Sequence, residues 1–310
     1  MGVKEERLIE VLSYASERND EVACMFFDIT YSTLERYKRR GRELNLGIKE
    51  KYNNPKILLL DIETSPIEVE AWTLGKQWIN HKVLKKSRSI LTWSAKWLCD
   101  SKIMGERVTA KEAIERKDKK IMKKMWDLLE EADIIMGHNL EYFDEPIIKT
   151  RFILNDLPPV SPYKTIDTYR KVRKEFAFLS NKLDYLGKVL TNSEKIHTNR
   201  ELWTRCVSGD SKALEEMLTY NKQDVIVLEE VYFKLRPWMH GHPNLGLYYD
   251  DMSNRCTNCG SKNLIIQGNY YTTVNRYNSI KCQECGAYGR ERITNLNGKK
   301  RKGLLGTNSR

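Results

Sequence analysis

No stretch of the 310-residue sequence stays apolar for long. The longest unbroken aliphatic run, Ile57 to Leu60, falls far short of the ~18 residues a membrane span needs. The opening MGVKEER is too acidic for a secretory signal, and position 6 lacks the Ser or Thr that myristoylation wants. No fixed-period repeat is present, which excludes a solenoid. A disulfide framework is poorly served by an odd count of seven cysteines, of which Cys24, Cys99 and Cys206 lie apart from two C-x-x-C pairs. Negative charge is in short supply, with 42 Asp+Glu against 53 Lys+Arg and a formal charge of +11. These absences lead to the expectation of a soluble intracellular protein, cytoplasmic or nucleoid-associated, of cellular or viral origin.

With 40% hydrophobic residues the chain can bury a core, and its length suits roughly two to three units at ~100–200 residues each. The positive charge is not spread evenly. Residues 253–310 carry eleven Lys/Arg against Glu284 and Glu291, and a second knot holds Arg36, Lys38, Arg39, Arg40 and Arg42. Two basic ends around a nearly balanced centre suit a polyanionic partner, although a run such as GKKRK taken alone can simply keep a surface solvated.

Three blocks follow from the patterning. Residues 1–50 read as helical, with Leu8, Ile9, Val11, Leu12 and Ala15 at helical spacing, a cap at Asn19-Asp20, a turn at Asp28-Ile29-Thr30, and a helix capped by Ser32 running to Arg42. Residues 56–238 alternate strand-like and helical segments, a mixed α/β pattern. The expected strands are Ile57 to Leu60, Glu68 to Leu74, Ser89 to Trp97, Ile134 to Met136 and Lys164 to Asp167. The expected helices are Lys119 to Glu131, Glu145 to Leu154, Leu183 to Leu190 and Lys212 to Leu235. Residues 250–294 contain the paired cysteines, and the basic tail 295–310 shows no periodicity, which predicts disorder.

Asp61-Ile62-Glu63-Thr64 directly follows the apolar strand, and in extended chain residues i and i+2 project to one side, so both carboxylates face one place. Gly137-His138-Asn139-Leu140-Glu141-Tyr142-Phe143-Asp144 follows a second apolar segment and would set Asp144 at the rim of the same sheet. In Tyr220-Asn221-Lys222-Gln223-Asp224 the i, i+4 spacing stacks Tyr220 on Asp224. Four acids in one pocket repel unless a divalent cation neutralises them, and two such ions can activate water and stabilise the leaving oxygen in phosphodiester cleavage.

These three segments, in this order, resemble the DEDD exonucleases, the DnaQ-like 3′–5′ exonuclease superfamily with an RNase H-like fold. The tyrosine points to the DEDDy subgroup, and GHNLEYFDEPII looks most like the proofreading exonuclease of B-family DNA polymerases. Lys164 to Thr168 and Leu179 to Leu190 also look like segments of that family, and the likeness covers roughly residues 56–236. The resemblance implies a mixed sheet flanked by helices and two Mg²⁺ or Mn²⁺. Asp61 would bridge both ions, Glu63 and Asp224 would hold the ion on the nucleophile side, Asp144 would serve the leaving-group ion, and Tyr220 would orient the attacking water. Thr64 would contact the terminal nucleotide and Asn139 the scissile phosphate, while His138 reads as structural. The implied partners are DNA, at single-stranded 3′ ends or primer–template junctions, and a separate DNA polymerase or replisome component.

Cys256-x2-Cys259 and Cys282-x2-Cys285, each followed by a glycine, have the spacing of a four-thiolate zinc site. The block resembles a zinc ribbon, in which one Zn²⁺ would be structural because four cysteines leave no open position. A redox dithiol is the alternative. Tyr270, Tyr271, Arg276, Tyr277 and Lys281 combine aromatic faces and cations, which suits nucleic acid; ordinary cross-strand pairs in a small β-ribbon are the alternative. Asp20 to Arg42 resembles a helix-turn-helix whose Thr33, Arg36, Arg39 and Arg40 would meet a groove or phosphates, though Asp28 stands where that turn often has Gly.

The reading that unites these features is a metal-dependent 3′–5′ exonuclease on DNA. A non-catalytic DNA-binding or assembly protein on a nuclease scaffold, and an enzyme of this fold acting on RNA or structured DNA, are the alternatives. Trp93 and Trp97 read as sheet core, the lone cysteines as small apolar filler, and His81 and His197 as surface or satisfied polar groups.

Overall fold

The structure is a computed structural model describing residues 3–17, 20–30, 33–34, 36–38, 55–73, 75–191, 199–249 and 251–306. The chain divides into two compact units, Lys56–Lys234 and a second that joins Met1–Pro55 to Leu235–Arg310.

The Lys56–Lys234 unit is organised by β1 (Ile57–Thr64), whose first four residues are all buried. It lies at the centre of a five-stranded mixed sheet with β4 (Ile90–Trp97), β5 (Ile103–Arg107), β6 (Ile134–Gly137) and β7 (Lys164–Asp167), in the order β5-β4-β1-β6-β7. β1 runs antiparallel to β4 and parallel to β6. The short strands β2 (Glu68–Val69) and β3 (Leu84–Lys86) pair by themselves, where the sequence predicts a single longer strand from Glu68 to Leu74. Sheet and flanking helices give this unit an RNase H-like fold.

The side-chain alternation of β1 gives its two faces different partners. Leu58, Leu60 and Ile62 share a face with Trp97, Ala95 and Trp93 of β4. That face meets α4 (Lys119–Glu131), which follows α3 (Ala110–Glu115) and buries Ile121, Met122, Met125 and Leu129; Trp93 Nε1 donates to the Ile121 carbonyl at 2.9 Å. The opposite face carries Asp61 and Glu63, paired with Ser94 and Thr92, and meets α9 (Ser211–Leu235). The buried ion pair of Lys96 on β4 with Glu229 on α9, together with Cys99 N–H donating to Glu229 Oε1 at 2.9 Å, fastens that helix to the sheet.

The remaining helices are α5 (Asp144–Leu154), α6 (Thr168–Glu175), α7 (Leu183–Leu190) and α8 (Arg200–Val207). α6 is capped by Asp167, which accepts from the Arg170 amide, and α8 by Asn199, which accepts from the Leu202 amide. Asp118 is wholly buried and accepts Arg151 Nε and Nη2 at 2.7 Å each, the Asn155 amide at 2.8 Å and the Ile90 N–H at 2.9 Å. Removing one member of such a buried pair costs ~3–5 kcal/mol, so this network fixes α5 against the start of β4.

In the other unit, α1 (Val3–Glu17) buries Leu8, Val11, Leu12 and Ala15, and Tyr14 stacks on Phe26 of α2 (Asp20–Phe27) at 4.5 Å. The chain then turns through Asp28 at φ 50°, and Thr30 Oγ1 accepts from the Thr33 amide at 3.1 Å. Residues 33–34 and 36–38 are helical with Leu34 buried. Asn19, Ser32, Arg39, Arg40 and Arg42 lie outside the described residues. The C-terminal region forms a second sheet of β8 (Leu264–Tyr271), β9 (Arg276–Cys282) and β10 (Tyr288–Arg290), order β10-β9-β8. Beyond it α10 (Gly298–Lys302) forms one helical turn, capped by Asn297 accepting from the Lys300 amide, in a tail whose composition predicts no structure. No helix among the described residues is long and apolar enough to cross a membrane.

Candidate active site

β1 presents Asp61 and Glu63 on one face, and α9 brings Asp224 to them: carboxylate oxygens of the three all lie within 4.8 Å of one another. Asp224 is buried, whereas Asp61 and Glu63 are partly exposed. Tyr220, one turn before Asp224, is buried with its ring edge-on to Trp203 at 6.3 Å. Side chains of α9 pack closely over Gly105, the cross-strand neighbour of Ser94. A Cβ at Gly105 would stand 2.9 Å from Leu218 Cδ1 and 3.1 Å from Lys222 Cε, closer than packed carbon atoms sit.

Asp144 stands at the start of α5, outside the radius shared by the other three, and its Oδ1 accepts the Ile62 N–H at 3.3 Å. That amide is available because β1 pairs with β6 only over Ile57 to Leu59. Burial pushes the Asp144 carboxyl up to about 7; the Ile62 amide pulls the other way, and the Asp167 charge adds to the rise. Asp167, raised chiefly by its own burial, accepts the amides of Asn139, Glu141 and Arg170, each at 3.1 Å. It thereby shapes the loop leading to Asp144, in which Asn139 adopts φ +69°. His138 uses both ring nitrogens locally, on Thr168 Oγ1 at 2.9 Å and the Asn181 carbonyl at 2.8 Å, in keeping with its reading as structural.

Asn221 is a residue to which the sequence reading gave no role. It is fully buried one turn of α9 before Asp224, and its side-chain amide donates to Asp61 Oδ2. Its only sequence signal is a polar side chain inside the apolar stripe Met217, Val225 and Leu228. The hydroxyls of Thr92 and Ser94, cross-strand from Glu63 and Asp61, are buried with no hydrogen-bond partner among the described residues. This donor set of hard oxygens, crowded on one face, fits a divalent cation. Thr64 follows the pair at a register shift of β1 against β4.

A second cluster lies in the C-terminal region. The four sulfurs of Cys256, Cys259, Cys282 and Cys285 lie within 4.8 Å of one another, with Cys256–Cys285 and Cys259–Cys282 at 3.6 Å. A tetrahedron with Zn–S of ~2.3 Å has edges of ~3.8 Å, so the spacing fits zinc and is too long for disulfides. Gly260 and Gly286 follow each pair at φ +74° and +78°, and their amides donate to the Cys256 and Cys282 carbonyls. Thiol hydrogen bonds hold Cys256 and Cys282 below the usual thiol range and push Cys259 and Cys285 above it. As thiolates, all four would need a cation between them.

On the C-terminal sheet, Tyr270 pairs with Tyr277 and Tyr271 with Arg276, so the two pairs fall on opposite faces. The Tyr270 face is the cationic one: Arg290 covers the rings of Tyr277 at 4.1 Å and Tyr270 at 5.6 Å, and Lys281 lies 5.7 Å from Tyr288. Arg276 is tied to Asn295 Oδ1 at 2.9 Å on the other face. Arg36 is exposed, 5.9 Å from the Tyr37 ring.

Residues 58–236 match the family model of the RNase H superfamily, and the chain belongs to that superfamily. Among solved structures it is similar to the family B DNA polymerase of the hyperthermophilic archaeon Pyrobaculum calidifontis, at 16% identity and a TM-score of 0.45. That match covers 64% of this chain and 26% of the polymerase chain. No curated protein matches the chain.

Proposed function

We propose that the protein is a metal-dependent 3′–5′ exonuclease that hydrolyses DNA from single-stranded 3′ ends. The observation that carries this reading is the convergence of Asp61, Glu63 and Asp224 within 4.8 Å, on a fold whose family implies nuclease-type chemistry. The exonucleolytic direction rests on the ordered motifs around Asp61, Asp144 and Asp224. Asp61, Glu63, Asp144 and Asp224 would hold two Mg²⁺ or Mn²⁺, which when bound activate water and offset charge on the leaving oxygen. Tyr220 orients the attacking water, Asn221 holds Asp61 in place, Thr64 meets the terminal nucleotide and Asn139 the scissile phosphate. In the other unit, one Zn²⁺ on Cys256, Cys259, Cys282 and Cys285 holds the ribbon. The helical N-terminus with Arg36, and the ribbon with Tyr271 and Arg276, hold the substrate strand. Residues 1–50, 56–238 and 250–294 act as three modules, with 295–310 as a basic tail.

A closed circular single strand beside a linear strand of the same sequence tests whether a free end is required. The linear strand is expected to disappear into 5′-mononucleotides while the circle survives; cutting of the circle would make the enzyme an endonuclease. An RNA strand run alongside ranks the sugar preference.

A further inference from the structure

Between β2 and β3 the chain leaves the sheet as an arm, and every described residue from Glu70 to Lys82 is exposed. Two tryptophans stand on it, Trp72 at 98% and Trp78 at 102% exposure. Burying a tryptophan is strongly favourable, so two rings held wholly in water are open to a ligand.

The arm is firmly rooted. Ser65 and Ser89, both buried, close its base through Ser65 N–H to the Ser89 carbonyl at 2.9 Å and through their hydroxyls at 3.2 Å. The buried Arg116 grips Glu68 at 2.7 Å. That root is also where the acids are, since Ser65 lies two residues beyond Glu63. On the other side Arg88 lies 5.8 Å from the ring of Phe143, the residue before Asp144. The arm therefore joins the fold beside the strand end that carries Asp61 and Glu63.

Its charge selects the ligand. From Glu70 to Arg88 the arm carries Lys76, Lys82, Lys85, Lys86 and Arg88 against one acid, Glu70. Lys85 pairs with Glu70 at 2.5 Å and Lys86 with Glu68 at 3.3 Å, whereas Lys76 and Lys82 have no ion pair among the described residues. Flat aromatic faces interleaved with available ammonium groups match a single-stranded nucleic acid, with bases for the rings and phosphates for the lysines.

We propose that Trp72 and Trp78 form a stacking platform that holds bases of a single strand whose backbone is led to Asp61, Glu63 and Asp224. This rests on the nuclease reading for the identity of the strand, and the test separates the two. Affinity of the full chain for a fluorescent oligodeoxynucleotide is measured by anisotropy in EDTA, where no hydrolysis is needed. Two stacked bases at ~1–3 kcal/mol each make W72A/W78A bind about thirtyfold more weakly or worse. W72F/W78F keeps most of the affinity, and a strand lacking bases binds wild type no better than the alanine variant. Photocross-links from an iodouracil base map to Trp72 or Trp78. Unchanged affinity in W72A/W78A with cross-links elsewhere overturns the platform, as does loss of binding to anionic phosphatidylserine vesicles with oligonucleotide binding intact. A wild type that hydrolyses nothing yet loses oligonucleotide affinity in W72A/W78A overturns the nuclease reading and leaves the platform standing.

Discussion

Asp61→Asn is expected to lower phosphodiester hydrolysis by about three orders of magnitude and, in EDTA, to raise the melting temperature. The loss follows from the proposed role of Asp61 as a carboxylate that would hold the divalent cations. Metal assistance supplies several kcal/mol of transition-state stabilisation, and each ~1.4 kcal/mol is tenfold in rate. The gain in stability follows from crowding, because Asp61, Glu63 and Asp224 lie within 4.8 Å of one another. Two unit charges at that distance repel by roughly 3 kcal/mol at an effective dielectric of 20. Asparagine removes one charge, keeps the shape, and still offers an oxygen to the Asn221 amide. A kcal/mol gained moves the midpoint by roughly 2–4 °C in a domain of this size. Glu63→Gln follows the same pattern. Asp144→Asn behaves oppositely in stability, because it replaces a buried carboxyl that accepts the Ile62 amide and would leave new N–H donors buried. Thermal melts in EDTA beside a hydrolysis assay check both signs; an Asp61→Asn protein that melts lower would mean that lost activity reflects lost structure.

Cys282→Ser is expected to unfold the C-terminal sheet β8 to β10. The buried core there consists of the four cysteines and Ala287, with Leu264 packed against it, and β8 is exposed along nearly its whole length. So small an apolar core cannot offset the entropy of ordering three strands, whereas zinc binding contributes ~10–16 kcal/mol in small domains that fold around it. In hydrogen exchange, amides of β8 to β10 should lose protection on Cys282→Ser or on treatment with a strong chelator, while those of β1 and β6 keep theirs. Zinc content should fall from one per chain to none. Protection that survives chelation would show that the cysteines do not hold this sheet through a metal.

What was legible in the sequence is what depends on local period. β1 could be read because Ile57 to Leu60 is a continuous buried run, and α4 and α7 because their apolar residues recur at helical spacing. β5 could not, since Ile103 to Arg107 has no fully buried residue and exists by pairing with β4 at the sheet edge. α6 is equally silent: TYRKVRKE is almost wholly polar and is started by the Asp167 cap. At the site, the common face of Asp61 and Glu63 and the stacking of Tyr220 and Asp224 are consequences of strand and helix period. Asn221, Thr92, Ser94 and Gly105 become neighbours of those acids only through sheet order and the seating of α9, which no local pattern encodes. The C-terminal sheet makes the same point, since alternation puts Tyr270 and Tyr271 on different faces but only register reveals that Arg290 and Lys281 join the former.

The most direct test is a time course on a 5′-labelled single-stranded DNA with Mg²⁺ or Mn²⁺, repeated in EDTA. The account predicts a ladder that shortens one nucleotide at a time from the 3′ end and stops when the metal is removed. Intact strands held in tight complex, with metal present, would contradict it and leave a binding protein on a nuclease scaffold.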